Sequence, residues 1–118
     1  MLRVPAGLAG MLAAGATPAH SGCYADPARL EAAMRVVVGS YKCDGFRQAI
    51  TGKSYTVFMS RTGIIDQTTG PCQREISELV STLSLEAVKG RAAYCASVTG
   101  ALDADQKMND VAVEVGAR

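Results

Sequence analysis

The 118-residue chain lacks tryptophan, contains a single histidine and draws only 5% of its residues from the aromatic class. Its core must therefore be filled by Ala, Val, Leu, Ile and Met, and this composition favours close-packed helices. The histidine, His20, lies in an N-terminal stretch that we expect to be removed or exposed. A Ser-His-Asp or Cys-His catalytic group is thereby excluded, together with most zinc chemistry, and we expect no enzyme active site.

The four cysteines lack the spacings of metal-binding and redox motifs. Cys23, Cys43, Cys72 and Cys95 are separated by 19, 28 and 22 residues, so neither C-x-x-C nor C-x-x-C-H occurs. These spacings argue against a zinc knuckle, a thioredoxin-type motif and the attachment of c-type haem. We therefore predict no metal ion and no cofactor.

A phosphate-binding loop is also incomplete. Gly52-Lys53-Ser54 match the last three positions of the G-x-x-x-x-G-K-[ST] motif. The first glycine of that motif permits the turn that points backbone N–H groups at the phosphates, and Arg47 occupies its position. We therefore interpret Lys53 as a surface side chain in a turn and exclude a nucleotide site.

A strong net charge of either sign is absent. The chain has 12 basic and 11 acidic residues, and removal of Arg3 with the N-terminal stretch leaves 11 of each. A neutral chain is an unfavourable partner for nucleic acid. Apolar residues make up 48% and charged residues 19%, a balance typical of a folded protein. A chain of this length predicts one small domain.

The N-terminal stretch differs in composition from the rest of the chain. Residues 1–21 contain one basic residue, an apolar run to Ala16 and then small residues, without any acidic side chain. This pattern predicts a secretory signal peptide cleaved near residues 19–21, followed by a single domain over 22–118. The apolar run is shorter than the roughly 20 residues that span a bilayer. We therefore expect a periplasmic or secreted protein with no stable membrane anchor after cleavage.

Three segments other than the one after Pro71 have patterns that predict or allow a helix. Asp26-Pro27 is typical of a helix start, and a stripe of apolar residues follows, with Gly39 on the outer face. This stripe consists of Leu30, Met34, Val37 and Tyr41. Residues 54–62 have helical spacing but also the β-rich composition of a strand, and we favour a helix there. The last segment has Asp103 as a candidate cap and is either a short helix or a frayed tail.

The clearest helical pattern begins after Pro71. A first apolar stripe comprises Cys72, Ile76, Leu79, Val80 and Leu83, and a second comprises Leu85, Val88, Ala92 and Cys95. With Ser84 as the break between them, the two helices are expected to form an αα-hairpin over about 71–98. The hairpin would bring two cysteines to its open end, so we favour the disulfide Cys72–Cys95. By elimination Cys23 pairs with Cys43.

The sequence thus predicts an all-α bundle of four to five short helices stapled by two disulfides. We expect the protein to function as a non-enzymatic binding or accessory protein with an unknown protein partner. The alternatives are a carrier of small apolar ligands and, less favoured, a periplasmic thiol-disulfide redox protein. Tyr24, Lys53 and Tyr55 are the candidate contact residues, since Tyr combines an apolar ring with a polar tip, whereas Tyr41 and Tyr94 are assigned to the core.

Overall fold

The computed structural model describes residue 24, residues 26–64 and residues 70–118, with the backbone alone for residues 70 and 71. Within these residues the protein contains five helices and no strand. They are α1 (Pro27–Lys42), α2 (Lys53–Arg61), α3 (Gly70–Lys89), α4 (Arg91–Ala104) and α5 (Gln106–Glu114). The predicted all-α bundle is confirmed. The predicted signal peptide, its cleavage site and Cys23 lie outside the described residues.

α1 lies at the centre of the bundle, in contact with both α3 and α4. The side chain of Asp26 caps it by accepting a hydrogen bond from the Arg29 backbone N–H at 3.1 Å, and Pro27 is the first helical residue, as the sequence predicts. All five residues from 36 to 40 are buried. The stretch 36–40 in the C-terminal half of α1 therefore has buried residues all round the helix rather than on one stripe.

Gly39 lies where α4 packs closely against α1. It is buried, and a Cβ atom built on it would lie 2.6 Å from Cγ2 of Val98. The prediction that Gly39 faces outward is wrong because α4 covers the side of α1 opposite the expected stripe. The missing side chain of Gly39 is what lets the two helices pack at this distance.

The break between α3 and α4 lies at Gly90, and the predicted break at Ser84 is wrong. Serine lowers helix stability only moderately, whereas glycine is the least favourable residue after proline. Lys89 in the last turn of α3 and Gly90 directly after it form a regular C-terminal signal. The two helices pack against each other, so the hairpin exists with its turn six residues later than expected.

Cys43 is bonded to Cys95, with 5.6 Å between their Cα atoms, and both predicted pairings are therefore wrong. With the turn at Gly90, position 72 lies about 27 Å along α3 from the turn, whereas position 95 lies about 8 Å along α4. Cys72 and Cys95 are thus far apart in the hairpin. Cys43 is the C-cap of α1, which runs antiparallel to α4 and ends beside the first turns of that helix. No cysteine among the described residues is free.

The second half of the bundle is closed by α2, α5 and the chain terminus. The predicted helix at 54–62 is confirmed as α2, which packs against α5. α5 is capped by Asp105, whose carboxylate accepts a hydrogen bond from the Met108 N–H at 3.1 Å, so the predicted cap at Asp103 is wrong. The backbone N–H of Arg47 donates to the carbonyl of Ala117 at 2.7 Å, which ties the C-terminus to the loop after α1.

A cluster around Arg35 joins α1, α3 and α4. Its guanidinium donates hydrogen bonds to Glu31 at 2.7 Å and to Glu86 at 2.6 Å, and it lies 5.2 Å from the ring centroid of Tyr94. The hydroxyl of the buried Tyr94 donates to the Arg35 carbonyl at 2.8 Å. The assignment of Tyr94 to the core is confirmed. Burial raises the pKa of Tyr94, and the Arg35 guanidinium lowers the pKa of Glu86.

Candidate ligand-binding groove

An apolar groove of about 500 Å³ opens between the C-terminal half of α1 and the middle of α3. The segment 50–52 and the first turn of α2 close its third side. We call this feature the α1–α3 groove. Its volume lies within the range of about 300–1,000 Å³ that is usual for small-molecule sites in proteins.

The floor of the α1–α3 groove consists of Val37, Val38 and Ile50, which are all buried. Ser40 fixes the position of Ile50 relative to α1. Its hydroxyl donates to the Val37 carbonyl at 2.6 Å and accepts a hydrogen bond from the Ile50 backbone N–H at 2.8 Å. The buried hydroxyl thus has both a donor and an acceptor partner, and the loop after α1 is held against the helix.

The walls of the groove are half-buried side chains from two helices. Tyr55 projects from the first turn of α2, and Val80 and Ser84 lie four residues apart on one face of α3. Burial raises the pKa of the Tyr55 hydroxyl, so this side chain is a neutral hydrogen-bonding group across the ordinary pH range. Apart from this hydroxyl and that of Ser84, the walls are apolar.

The rim carries Tyr41 and Lys42 at one side and Thr51 with Gly52 at the other. Tyr41 is 57% exposed, so its assignment to the core is wrong. Ser40 takes the inward position in the last turn of α1 because it bonds the Ile50 N–H, and this places the next side chain towards solvent. Gly52 has a positive φ of 57°, which glycine adopts most readily, and it is the N-cap of α2.

A second, smaller depression of about 320 Å³ lies beside the rim and shares Tyr41 and Lys42 with the α1–α3 groove. Val88 and Arg91 supply its other side, and Val88 is 73% exposed. The predicted second stripe is therefore wrong at Leu85, Val88 and Ala92, because all three are exposed and the first two belong to α3. The buried face of α4 instead consists of Tyr94, Val98 and Leu102.

The three predicted contact residues do not lie together. Tyr24 is only 3% exposed, and its hydroxyl donates to the carbonyl of Cys72 at 3.2 Å, so its prediction as a surface residue is wrong. Its ring is covered because the chain before α1 lies against the start of α3. Lys53 is exposed at the start of α2, outside the described lining of the α1–α3 groove. Tyr55 alone lies in the groove.

Sequence reasoning missed the groove residues of α1. A signal for a second surface on this helix is present in the sequence as the run Val36-Val37-Val38, followed by Tyr41-Lys42. Three adjacent β-branched residues cannot all face one core from a single helix. At least one of them must meet a second surface. In the structure that surface is the floor of the groove.

Within the described part of the chain, no cluster of three or more His, Cys, Asp or Glu residues is placed to hold a metal ion. In the same residues, no helix has both the length and the apolar character needed to cross a membrane. A comparison with known protein families, with curated proteins and with solved structures found no match to this chain.

Proposed function

We propose that this protein is an exported, non-enzymatic binding protein that holds a small apolar molecule in the α1–α3 groove. The observation that carries the proposal is the groove itself, with its volume of about 500 Å³ and its floor of Val37, Val38 and Ile50. Apolar ligands bind because each square ångström of apolar surface removed from water contributes about 25 cal/mol. Polar groups at the rim then set the orientation of the ligand.

Export is supported by two separate features. The first 21 residues have the composition of a signal peptide. Cys43 and Cys95 form a disulfide, a bond that persists mainly in oxidising compartments such as the periplasm or the extracellular space. A carrier in such a compartment would pick up and release its ligand without chemical change.

The first test uses the neutral fluorescent probe Nile red with the full-length protein and two variants. Ser84→Phe places a ring in the wall of the groove and is expected to lower the affinity for the probe at least tenfold. Thr82→Phe is the matched control, because Thr82 is exposed on the same helix and lies outside the described lining of the groove. Equal binding by both variants, or no binding by the wild-type protein, contradicts the proposal.

A second test examines protein recovered from its native compartment. Native mass spectrometry is expected to show a bound small molecule that is lost under denaturing conditions and is absent from the Ser84→Phe variant. Repeated absence of any such mass from correctly folded protein contradicts a carrier function.

A contact surface for a partner protein is the second candidate function. It is favoured by three exposed apolar side chains, which are Tyr41 and Val88 in the depression beside the rim and Leu85 three residues before Val88 on α3. Val88→Asp would then abolish a stoichiometric complex with a defined partner. Val113→Asp would leave it intact, because Val113 is also an exposed valine but lies on α5. The same loss with both variants contradicts this function.

A further inference from the structure

The α1–α3 groove combines an apolar floor with a basic rim. We propose that its ligand is an amphiphile with one acyl chain and a carboxylate head, with the chain on Val37, Val38 and Ile50 and the carboxylate at the ammonium group of Lys42. This inference rests on the proposed function and adds the chemical class of the ligand.

The geometry of α1 places the charge at the end of the apolar floor. Val38 and Lys42 are four residues apart in the same helix, so they are neighbours on one face, and both line the groove. An acyl chain that covers Val38 therefore leads directly to the ammonium group. Tyr41 lies at the same rim and is exposed, so its hydroxyl is available to donate a second hydrogen bond to the head group.

The charges around the rim are complementary to an anion. Neither the α1–α3 groove nor the adjoining depression has a carboxylate among its described lining residues. Among all the residues that the structure describes, no acidic side chain lies within ion-pair distance of Lys42. Its ammonium group is therefore available to a ligand. Arg91 lines the adjoining depression, and its one ion pair within the described residues, 3.8 Å to the fully exposed Asp44, is long. A cationic ligand would meet repulsion from both groups.

The size of the groove and the kind of cation at its rim favour a single chain and a small head. A volume of about 500 Å³ lies in the lower half of the usual range, which favours one acyl chain over the two of a phospholipid. Lysine acts as a compact point charge, so the rim requires of the head group only that it is anionic and small enough to reach the ammonium. The free carboxylate of a fatty acid fits both features.

The test compares decanoate with decanol, which have the same chain length and differ in the charge of the head. Each is titrated calorimetrically into the full-length wild-type protein, below its micelle-forming concentration. We expect decanoate to bind about three- to tenfold more tightly than decanol, and this preference to decline as salt is added. The Lys42→Gln variant is expected to bind both compounds equally. Lys53→Gln is the matched control and is expected to keep the preference.

The outcomes separate this inference from the proposed function. Equal binding of decanoate and decanol by the wild-type protein overturns the carboxylate assignment and leaves the apolar groove as a binding site. A preference that persists in Lys42→Gln also overturns it, since the charge would then be elsewhere. Binding of neither compound contradicts the proposed function itself. If Lys42→Gln does not fold, a decanoate preference that is unchanged by salt in the wild-type protein overturns the assignment.

Discussion

The Nε atom of Arg29 donates a hydrogen bond to Oδ2 of Asp105 across 2.7 Å, and this ion pair joins the first turn of α1 to the start of α5. The same guanidinium donates to the carbonyl of Thr62 at the end of α2. Asp105 in turn caps α5 through the Met108 N–H. One arginine thus links the first turn of α1 to the end of α2 and the start of α5.

Acid is expected to destabilise the protein through Asp105. The hydrogen bond from Arg29 lowers the pKa of Asp105 below its ordinary value of about 3.9, and the bond from the Met108 N–H adds to this effect. Because the folded-state pKa is the lower one, the stabilisation is complete above about pH 4 and is lost as the pH falls through the folded-state pKa. Urea unfolding across this pH range measures the loss.

The matched variant is Asp105→Asn, which keeps a good N-cap and removes the charge. We expect it to lower the free energy of unfolding at neutral pH by about 1 to 3 kcal/mol. We also expect this free energy to fall less steeply as the pH is lowered through the acid range. Asp103→Asn is the control, since Asp103 is exposed two residues earlier in the chain and forms no ion pair among the described residues. If Asp105→Asn lost stability at acid pH as steeply as the wild-type protein, other groups would be the cause of that loss.

Gly39→Ala is expected to destabilise the protein by about 1 to 3 kcal/mol. The new methyl group would lie 2.6 Å from Cγ2 of Val98, and the stiff, buried valine cannot rotate away. Thermal unfolding followed by circular dichroism measures the change. The double variant with Val98→Ala should recover part of the loss.

Gly100→Ala is the control for this experiment. It lies in the interior of α4 with nothing within 4 Å of the added Cβ, so it should stabilise the protein by about 0.5 to 1 kcal/mol through helix propensity. If Gly39→Ala and Gly100→Ala gave the same gain, the close approach of α1 and α4 at Gly39 would be refuted.

Removal of the Cys43–Cys95 disulfide is expected to lower the stability by about 4 kcal/mol, because the bond closes a loop of 52 residues in the unfolded chain. The double variant Cys43→Ala, Cys95→Ala tests this in urea unfolding without reductant. A loss below about 1 kcal/mol would mean that the unfolded chain gains little freedom when the bond is removed.

The remaining cysteines are expected to pair with each other, Cys23 with Cys72. Tyr24 follows Cys23 directly in the chain, and its hydroxyl donates to the carbonyl of Cys72 at 3.2 Å, so the described structure brings this part of the chain to the start of α3. Proteolysis without reduction, followed by mass spectrometry, should yield one cross-linked peptide pair for each bond. A peptide joining Cys72 to Cys95 would contradict both this pairing and the structure.

Alkaline pH is expected to destabilise the protein through Tyr94. Burial raises the pKa of this hydroxyl above its ordinary value of about 10, so the neutral form is favoured in the folded state. The stabilisation is therefore complete below about pH 10 and falls as the pH rises towards the folded-state pKa. Tyr94→Phe should remove this dependence and cost about 0.5 to 1.5 kcal/mol for the lost bond to Arg35. Tyr41→Phe, on the surface, should do neither.

Much of the fold could be predicted because strong local signals lie at the helix starts. Asp26-Pro27 predicted the start of α1 correctly, and the spacing of apolar residues predicted α2 in spite of its strand-like composition. The break at Gly90 was not predicted, because the apolar spacing of Leu85, Val88, Ala92 and Cys95 runs across the Lys89-Gly90 end signal. That error then moved the expected hairpin turn and led to the wrong disulfide.

The candidate site could not be predicted in the same way, because it depends on how helices meet. Tyr41 follows the stripe of α1 yet lies on the surface, since Ser40 occupies the inward position and bonds the loop at Ile50. Tyr24 looks like a surface residue in the sequence but is covered by the start of α3. Periodicity specifies one buried face of a helix and contains no information about a second partner.

The tyrosines of the α1–α3 groove also make the site optically visible. The chain has no tryptophan and four tyrosines, so its near-ultraviolet emission comes from tyrosine alone. Two of these residues, Tyr41 and Tyr55, line the groove, whereas Tyr24 and Tyr94 are buried elsewhere. A ligand that enters the groove changes the surroundings of half of the chromophores at once. Its arrival can therefore be followed in the unlabelled protein, with no reporter group added.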